Sequence, residues 1–179
     1  MRTGFGLLMT LVLISLPSLA ARVSLFPISV EQRYLENETQ DLYFQKMDTS
    51  ASAALTFHSY QLGLEVTRWS QESSAPLVSF KESYSEIGSS HLFLMAVLSD
   101  VLYLYSGIGV GIYETKLTNQ FNGVSNDTNS GQILFASGIA SAQVIYSFFH
   151  AALDFRLIMA KDYRPQPTPA FIFKLGFSF

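Results

Sequence analysis

The stretch that decides the fold is Ala170-Phe171-Ile172-Phe173-Lys174-Leu175-Gly176-Phe177-Ser178-Phe179, the last ten residues of the sequence. An apolar residue stands at every second position of this stretch, and four of the five are phenylalanine. Side chains along a β-strand point alternately to opposite faces. The pattern therefore predicts a strand with one strongly apolar face, suited to contact with lipid, and with Lys174 and Ser178 on the opposite face.

The composition of the chain favours a membrane protein that crosses the bilayer with strands. Only 14% of the 179 residues are charged and 49% are hydrophobic, whereas soluble proteins average about 25% charged residues. No internal segment reaches the ~18–20 consecutive apolar residues that a membrane-spanning helix needs. Low charge without long apolar runs is typical of a transmembrane β-barrel, because each strand needs apolar residues on one face only.

Charge and cysteine content exclude several functional classes. The net charge is −3 and no basic tract is present, so we expect no nucleic-acid partner. The absence of cysteine excludes a disulfide scaffold, thiolate chemistry and a lipid-modified cysteine. Nothing in the composition points to a cofactor, and we expect none.

Residues 1–20 have the features of a secretory signal peptide. Arg2 precedes an apolar segment, which is followed by Pro17 and by small residues up to Ala20. We predict cleavage after Ala20, which leaves one barrel domain at residues 21–179. The alternative is an uncleaved anchor helix, which the short apolar run, Pro17 and the immediately following Arg22 disfavour.

The mature chain divides into about eight predicted strands, the number at which a barrel interior is just filled by side chains. We predict irregularities near Pro27 and near His58-Ser59, because the apolar alternation changes parity around His58 and proline cannot donate to a strand ladder. Polar segments around residues 36–41, 118–131 and 161–168 are predicted loops. The longer loops follow odd-numbered strands, as extracellular loops do when both termini are periplasmic. The predicted strands are residues 23–34, 51–68, 77–85, 91–98, 101–117, 132–145, 148–161 and 170–179.

The alternation also predicts which face of each strand meets lipid. In the fifth predicted strand, Ile108 and Val110 face outward and Gly109 faces the lumen. In the first predicted strand, Phe26 shares a face with Ile28 and Val30. The seventh predicted strand places His150, Asp154 and Arg156 inward and the following residues outward: Phe149, Ala151, Leu153, Phe155, Leu157 and Met159.

The terminal strand, with its last aromatic residue and alternating apolar residues before it, resembles the C-terminal strand of bacterial outer-membrane β-barrels. The whole mature chain resembles small eight-stranded barrels of the OmpA/OmpX type. The resemblance implies a location in the bacterial outer membrane and contact with its lipid and lipopolysaccharide. It also implies that the barrel-assembly machinery reads the terminal strand through its outward residues: Phe171, Phe173, Leu175, Phe177 and Phe179.

Seven charged residues are predicted to point into the lumen, and their signs nearly cancel. Because a barrel of this width has no continuous water channel, these charges must pair or be partly hydrated. We favour a structural ion-pair network that fills the lumen, with Lys174 paired to Glu31 or Asp154. The alternative is a proton path or small-ligand site. The seven residues are Glu31, Arg33, Glu65, Lys81, Asp154, Arg156 and Lys174.

The three histidines form no recognisable catalytic or metal-binding pattern. His150 and Asp154 share one strand face but lie ~13 Å apart along the strand. His58 and Ser59 are neighbours and point to opposite faces, and no two histidines have metal-ligand spacing. We therefore expect neither an enzyme nor a metal site. The Asn- and Asp-rich segment 119–129 is interpreted as turn formers rather than as a cation or partner site.

The sequence thus favours a non-enzymatic integral outer-membrane barrel with a side-chain-plugged lumen and a structural or surface-interaction role. The first alternative is a narrow channel or receptor for small or apolar solutes, and the second is a lipid-modifying enzyme. The sequence predicts no particular oligomeric state.

Overall fold

The computed structural model describes residues 21–36, 42–46, 49–75, 78–121, 124–161 and 165–179. The predicted signal peptide lies outside these ranges, so it and the domain boundary at residue 21 stay predictions. Within the described ranges, no helix is long and apolar enough to cross a membrane. These ranges form nine antiparallel strands: β1 (Ala21–Glu36), β2 (Leu42–Lys46), β3 (Thr49–Phe57), β4 (Tyr60–Ala75), β5 (Val78–Val97), β6 (Leu102–Phe121), β7 (Val124–Tyr146), β8 (Phe149–Ala160) and β9 (Thr168–Ser178).

The strands close into an eight-stranded barrel. Each strand from β3 to β8 pairs with the next in the chain, and β9 pairs with β1 to close the sheet. Strands β2 and β3 pair with different parts of β1, at Gln32–Glu36 and Ala21–Ser29 respectively. They are therefore two segments of one barrel strand. The predicted all-β fold, a single antiparallel transmembrane barrel of about eight strands, is confirmed.

The predicted strands between residues 51 and 98 were wrong in two places. One predicted strand is two strands and two predicted strands are one, so the total number is unchanged. The predicted strand 51–68 is two strands, β3 and β4, joined by a turn at His58-Ser59. Phe57 pairs with Tyr60 across that turn, and His58 has a φ of 48°. The predicted strands 77–85 and 91–98 are one strand, β5, because the polar residues between them continue the sheet.

The predicted loop at residues 118–131 and the gap between the predicted strands 51–68 and 77–85 are largely strand. Strand β6 continues to Phe121 and β7 begins at Val124, while β4 continues to Ala75 and β5 begins at Val78. Pairing of β7 with β8 starts only at Phe135, so the hairpins β4–β5 and β6–β7 extend beyond the end of β8. In the β6–β7 extension, residues 126–128 are all exposed, and the sequence there lacks the apolar alternation. The tight turn predicted at Tyr146-Ser147 lies one residue later, at Ser147-Phe148.

The outer surface carries the apolar belt that the alternation predicts. On β6, Ile108 and Val110 are 60% and 47% exposed, whereas Tyr105 and Tyr113 on the inner face are buried. Strand β8 alternates between exposed and buried residues along almost its whole length. The belt ends at a row of polar cross-strand neighbours on β4 to β7, which are Arg68, Ser85, Glu114 and Gln132.

The first strand contains the predicted irregularity near Pro27, but one residue faces the other way. The register of β1 against β9 shifts between Leu25 and Ile28. Phe26 is buried in the lumen, whereas Ile28 and Val30 are exposed. The predicted shared face of Phe26 and Ile28 was wrong because the register shift changes the parity of the strand after Phe26.

Candidate functional site

The lumen contains two clusters of ion pairs, each of which joins strands on different sides of the barrel. The Arg156 cluster consists of Glu65 on β4, Asp154 and Arg156 on β8, and Lys174 on β9. The Arg33 cluster consists of Glu31 and Arg33 on β1 and Glu86 on β5. All seven side chains are almost entirely shielded from solvent.

The Arg156 cluster combines neighbours on one wall with a carboxylate from the opposite wall. Asp154 and Arg156 are two residues apart on the inner face of β8, and Lys174 lies opposite Ala152 on the next strand. Arg156 Nη1 lies 2.5 Å from Glu65 Oε2, and its Nη2 lies 3.1 Å from Asp154 Oδ2. Lys174 Nζ lies 2.8 Å from Asp154 Oδ2 and also pairs with Glu65. Each cation therefore contacts both carboxylates.

In the Arg33 cluster, one guanidinium bridges two carboxylates. Arg33 Nε donates to Glu31 Oε1 at 2.7 Å, and Arg33 Nη1 donates to Glu86 Oε1 at 2.5 Å. Arg33 Nη2 also pairs with Glu86 Oε2. This two-bond arrangement is the strong geometry of arginine with carboxylate. Thr67 on β4 is the cross-strand neighbour of Glu86, and it donates to Glu31 Oε2 at 3.0 Å.

A chain of hydrogen bonds runs from the Arg156 cluster toward the end of the barrel where β1 begins. Ser141 donates to Asp154 Oδ1 at 2.6 Å, and Gln143 Nε2 donates to Ser141 Oγ at 3.1 Å. His150 Nε2 lies 3.1 Å from Gln143 Oε1, and its Nδ1 lies 2.8 Å from Ser24 Oγ. Both ring nitrogens of this buried histidine are thus hydrogen-bonded.

The opposite end of the lumen contains a cluster of packed apolar side chains. The rings of Trp69 and Tyr84 stack 3.8 Å apart with an angle of 3° between their planes. Tyr113 is fully buried beside them. We call this group the aromatic cap, and its other members are Leu35, Ile133, Phe135, Ile158, Ala160 and Ala170.

Two small cavities lie among these side chains. One has a volume of about 20 Å³ and is lined by residues of both ion-pair clusters, by Ser137 and by Phe135 of the aromatic cap. The other has a volume of about 10 Å³ and is lined by Phe26, Gln61, Lys174 and Ser52, among others. Glu65 lines both cavities and lies between them.

Six of the seven charged residues predicted to point inward lie in these clusters, and one does not. Lys81 is exposed, because it lies on the outward parity of β5, opposite to Glu86. Lys174 contacts Asp154, one of its two predicted partners, and Glu65, which was not predicted. Glu86 was missed because it fell between two predicted strands. Its alternation with Tyr84, Gly88 and Ser90 is the signal that could have identified it.

The other two histidines lie away from the lumen. His58 is in an exposed turn. His91 lies on the outer face of β5, where Tyr60 Oη is 2.6 Å from Nδ1 and Ser89 Oγ is 3.4 Å from Nε2. Ser89 in turn donates to the carbonyl of Val110 at 3.5 Å. Among the described residues, no group of three or more acidic or histidine side chains is arranged to hold a metal ion.

Strand β9 carries the outward residues that were predicted from its alternation. Phe171, Phe173, Phe177 and Phe179 are exposed, whereas Lys174 and Ser178 are buried. Strand β9 pairs with β1 from Ser24↔Ser178 to Arg33↔Ala170, and so closes the barrel as predicted. Recognition of this strand by the assembly machinery stays a prediction.

Neither a protein-family model nor a curated protein sequence matches the chain. Solved structures share its fold at low sequence identity. Ail, the attachment invasion locus protein of Yersinia pestis, crystallised with the heparin analogue sucrose octasulfate, superposes with a TM-score of 0.60 at 14% identity, covering 89% of this chain and 99% of Ail. For Neisserial surface protein A the values are 0.62 and 12%, covering 88% and 95%.

The N-terminal β-barrel domain of OprF from Pseudomonas aeruginosa superposes with a TM-score of 0.51 at 10% identity, covering 89% of this chain and 96% of that domain. The fold is that of the small outer-membrane barrels. This likeness confirms the predicted fold family. The exposed apolar belt, which only lipid can cover without cost, agrees with the predicted location in the bacterial outer membrane.

Proposed function

We propose that the protein is a non-enzymatic, structural outer-membrane barrel whose lumen is plugged by its own side chains. The observation that carries this proposal is the way the lumen is filled. The proposal is supported by the pairing of Arg156 with Glu65 across opposite walls and by the packing of the aromatic cap at one end. Of the two cavities described, the larger, of about 20 Å³, has room for roughly one water molecule, and the smaller, of about 10 Å³, lies at the lower limit for one.

Single-channel recording tests this proposal against the alternative of a narrow channel. Refolded protein inserted into a planar lipid bilayer should give no unitary current steps above those of the bilayer alone. The matched control is the same preparation left unfolded in the same detergent, which reveals contaminating pores. Reproducible steps from the folded protein alone would favour the channel.

We also propose that the barrel does not modify lipids. A hydrolase of the serine–histidine type needs a nucleophile that substrate can reach, with a base oriented beside it. Ser24 and His150 are in contact but fully buried. On the outer face, Ser89 Oγ lies 3.4 Å from His91 Nε2 and donates instead to the carbonyl of Val110, and a tyrosine hydroxyl rather than a carboxylate contacts His91 Nδ1. Incubation with phospholipid and with lipopolysaccharide should release no fatty acid. Release that is lost in a His91→Ala variant would contradict this proposal.

The extended hairpins β4–β5 and β6–β7 are the part of the barrel best placed for a surface-interaction role. They extend past the end of β8, and none of the described residues pairs with the β8-side edge of β7 from Val124 to Leu134. We propose that these hairpins present a surface to partners outside the membrane. Ail binds a heparin analogue in its crystals, which raises the question of a polyanionic partner here.

The charges on the hairpins do not favour a polyanion. Lys116 is paired with Asp127 at 2.6 Å, and Lys81 is the cross-strand neighbour of Glu72 on β4. We therefore propose a partner other than a sulfated polysaccharide. The folded protein should pass through immobilised heparin at about physiological ionic strength, where a basic site would be retained. Retention that is lost in a Lys81→Glu variant would contradict this proposal.

A further inference from the structure

The larger cavity lies where the two ion-pair clusters meet, and two polar atoms of its lining residues are incompletely satisfied. Ser137 on β7 is 3% exposed and Arg156 on β8 is 8% exposed, and both residues line the cavity. Ser137 Oγ and Arg156 Nε are buried without a hydrogen-bond partner among the described residues. Because a buried polar group without a partner destabilises a fold, the occupant of the cavity should bond to both atoms.

The chemistry of the lining decides what that occupant is. Arg156 Nε–H is a donor, so the occupant must offer a lone pair, which a bare metal cation lacks. The carboxylates of Glu31, Glu65 and Glu86 line the same cavity as the guanidinium groups of Arg33 and Arg156, so the lining has a net negative charge that disfavours an anion. A water molecule needs a cavity of about 10–15 Å³ or more and two to four polar partners. The volume of about 20 Å³ and the lining meet both conditions.

We propose that one buried water molecule is bound in this cavity and joins the two ion-pair clusters. It accepts a hydrogen bond from Arg156 Nε and bonds to the hydroxyl of Ser137. It donates its protons to carboxylate oxygens in the wall, which have lone pairs remaining after their contacts with the guanidinium groups. The water thereby links the walls formed by β7 and β8 to the carboxylates of the Arg33 cluster.

The proposed water extends the polar network of the lumen. The hydrogen-bond chain from Ser24 through His150 reaches Asp154 and so the Arg156 cluster. The water continues that chain to the Arg33 cluster, as far as Glu86. Both ion-pair clusters then belong to one network, through which a change in one cluster is transmitted to the other.

A crystal structure of the folded protein grown in rubidium bromide tests the identity of the occupant. We expect one density peak within 2.7–3.2 Å of both Arg156 Nε and Ser137 Oγ, the range of ordinary hydrogen bonds, with no anomalous signal. An anomalous peak at the rubidium edge would show that the occupant is a cation rather than water. A peak at the bromide edge would show that it is an anion. A cavity without density would also overturn the proposal.

Two substitutions at Ser137 test the water in solution. Ser137→Ala removes one partner and leaves the space open, whereas Ser137→Val removes the same hydroxyl and occupies the space with a methyl group. Valine should therefore displace the water and lower the urea midpoint of unfolding further than alanine does. A Ser137→Val midpoint equal to or above that of Ser137→Ala would overturn the proposal.

The matched control is Ser52→Val, which adds the same atoms beside the smaller cavity. Ser52 Oγ is also buried without a described partner, but that cavity has only about 10 Å³. We expect this variant to lower the midpoint less than Ser137→Val does. Equal losses at the two sites would assign the effect to the bulk of valine rather than to a displaced water.

Discussion

The charged middle of the lumen and its aromatic cap are both shielded from solvent, but different forces fill them. In the middle, every charged group has been removed from water and depends on specific partners for compensation. In the cap, Trp69, Tyr84 and Tyr113 fill space by packing, which tolerates small changes in shape and direction. The free energy of unfolding should therefore fall much more when a single partner is removed from the charged middle than when one is removed from the cap.

The largest effect should come from removing the cation that two carboxylates share. Lys174→Met leaves Asp154 and Glu65 with one cation fewer in a poorly hydrated site. Breaking a buried pair in this way costs ~3–5 kcal/mol of unfolding free energy. The measurement is urea unfolding of the refolded barrel, followed by tryptophan fluorescence and by heat-modifiable mobility on gels.

A double variant distinguishes pairing from a general effect of the substitution. Adding Asp154→Asn to Lys174→Met removes one of the uncompensated charges, so the double variant should recover much of the loss. Additive losses would argue against direct pairing of Lys174 with Asp154. Unchanged stability of Lys174→Met together with a new conductance would support the channel instead.

A charge placed on the lipid-facing surface of the barrel should lower the free energy of unfolding somewhat less than the loss of Lys174 does. Val110→Arg puts a guanidinium in the apolar belt, where arginine near the middle of the bilayer costs ~2–4 kcal/mol. The matched control is Glu114→Arg, on the same strand at the polar edge of the belt, where the cost should fall to ~0–1 kcal/mol. Equal losses at the two positions would show that the belt is misplaced.

The aromatic cap should tolerate the loss of its ring stack. Tyr84→Leu keeps an apolar side chain but removes the stacking with Trp69, and such ring pairs contribute ~0.5–1.5 kcal/mol beyond the area they bury. The expected fall in unfolding free energy is therefore smaller than for Lys174→Met. A loss as large as that of Lys174→Met would abolish the contrast between the two parts of the lumen.

The smallest effect should come from the exposed ion pair in the β6–β7 extension. The Lys116 ammonium and the Thr118 hydroxyl, both bonded to Asp127, lower the pKa of that carboxyl below its usual value. Stabilisation by the pair is therefore present above pH ~4 and lost as the pH falls through the lowered pKa. Because Lys116 and Asp127 are 50% and 48% exposed, Asp127→Asn should unfold at the same urea concentration as wild type at pH 7.

How far the sequence predicts the structure depends on where a strand lies. Strands β8 and β9 cross the belt with apolar residues outside and mostly small or polar residues inside, Ile158 and Ile172 being the exceptions, so their faces follow from the alternation. In the extension of β6 and β7, Asn126, Asp127 and Thr128 are all exposed, so consecutive polar residues give no alternation to detect. Pattern alone therefore identifies the strands in lipid and misses those above it.

The errors in β3 to β5 have a physical reason as well. A two-residue hairpin turn places Phe57 and Tyr60 on the same face, and a single-residue bulge produces the same change of parity. The turn residues usually distinguish the two, but His58 adopts a positive φ where glycine or asparagine is expected. The segment from Glu86 to Ser90 was missed because its inward residues are a charged group, a glycine and a serine, which also occur in loops.

The contact between the two ends of the chain has a consequence for how the barrel forms. Ser24 bonds to Ser178 across 154 positions of sequence, and the whole seam between β1 and β9 joins residues about equally distant. The entropy of closing such a long loop must be overcome before the seam contributes any stability. We therefore expect slow folding in which closure comes last, and hydrogen exchange in which amides of the seam exchange through openings that cost less free energy than unfolding of the entire barrel.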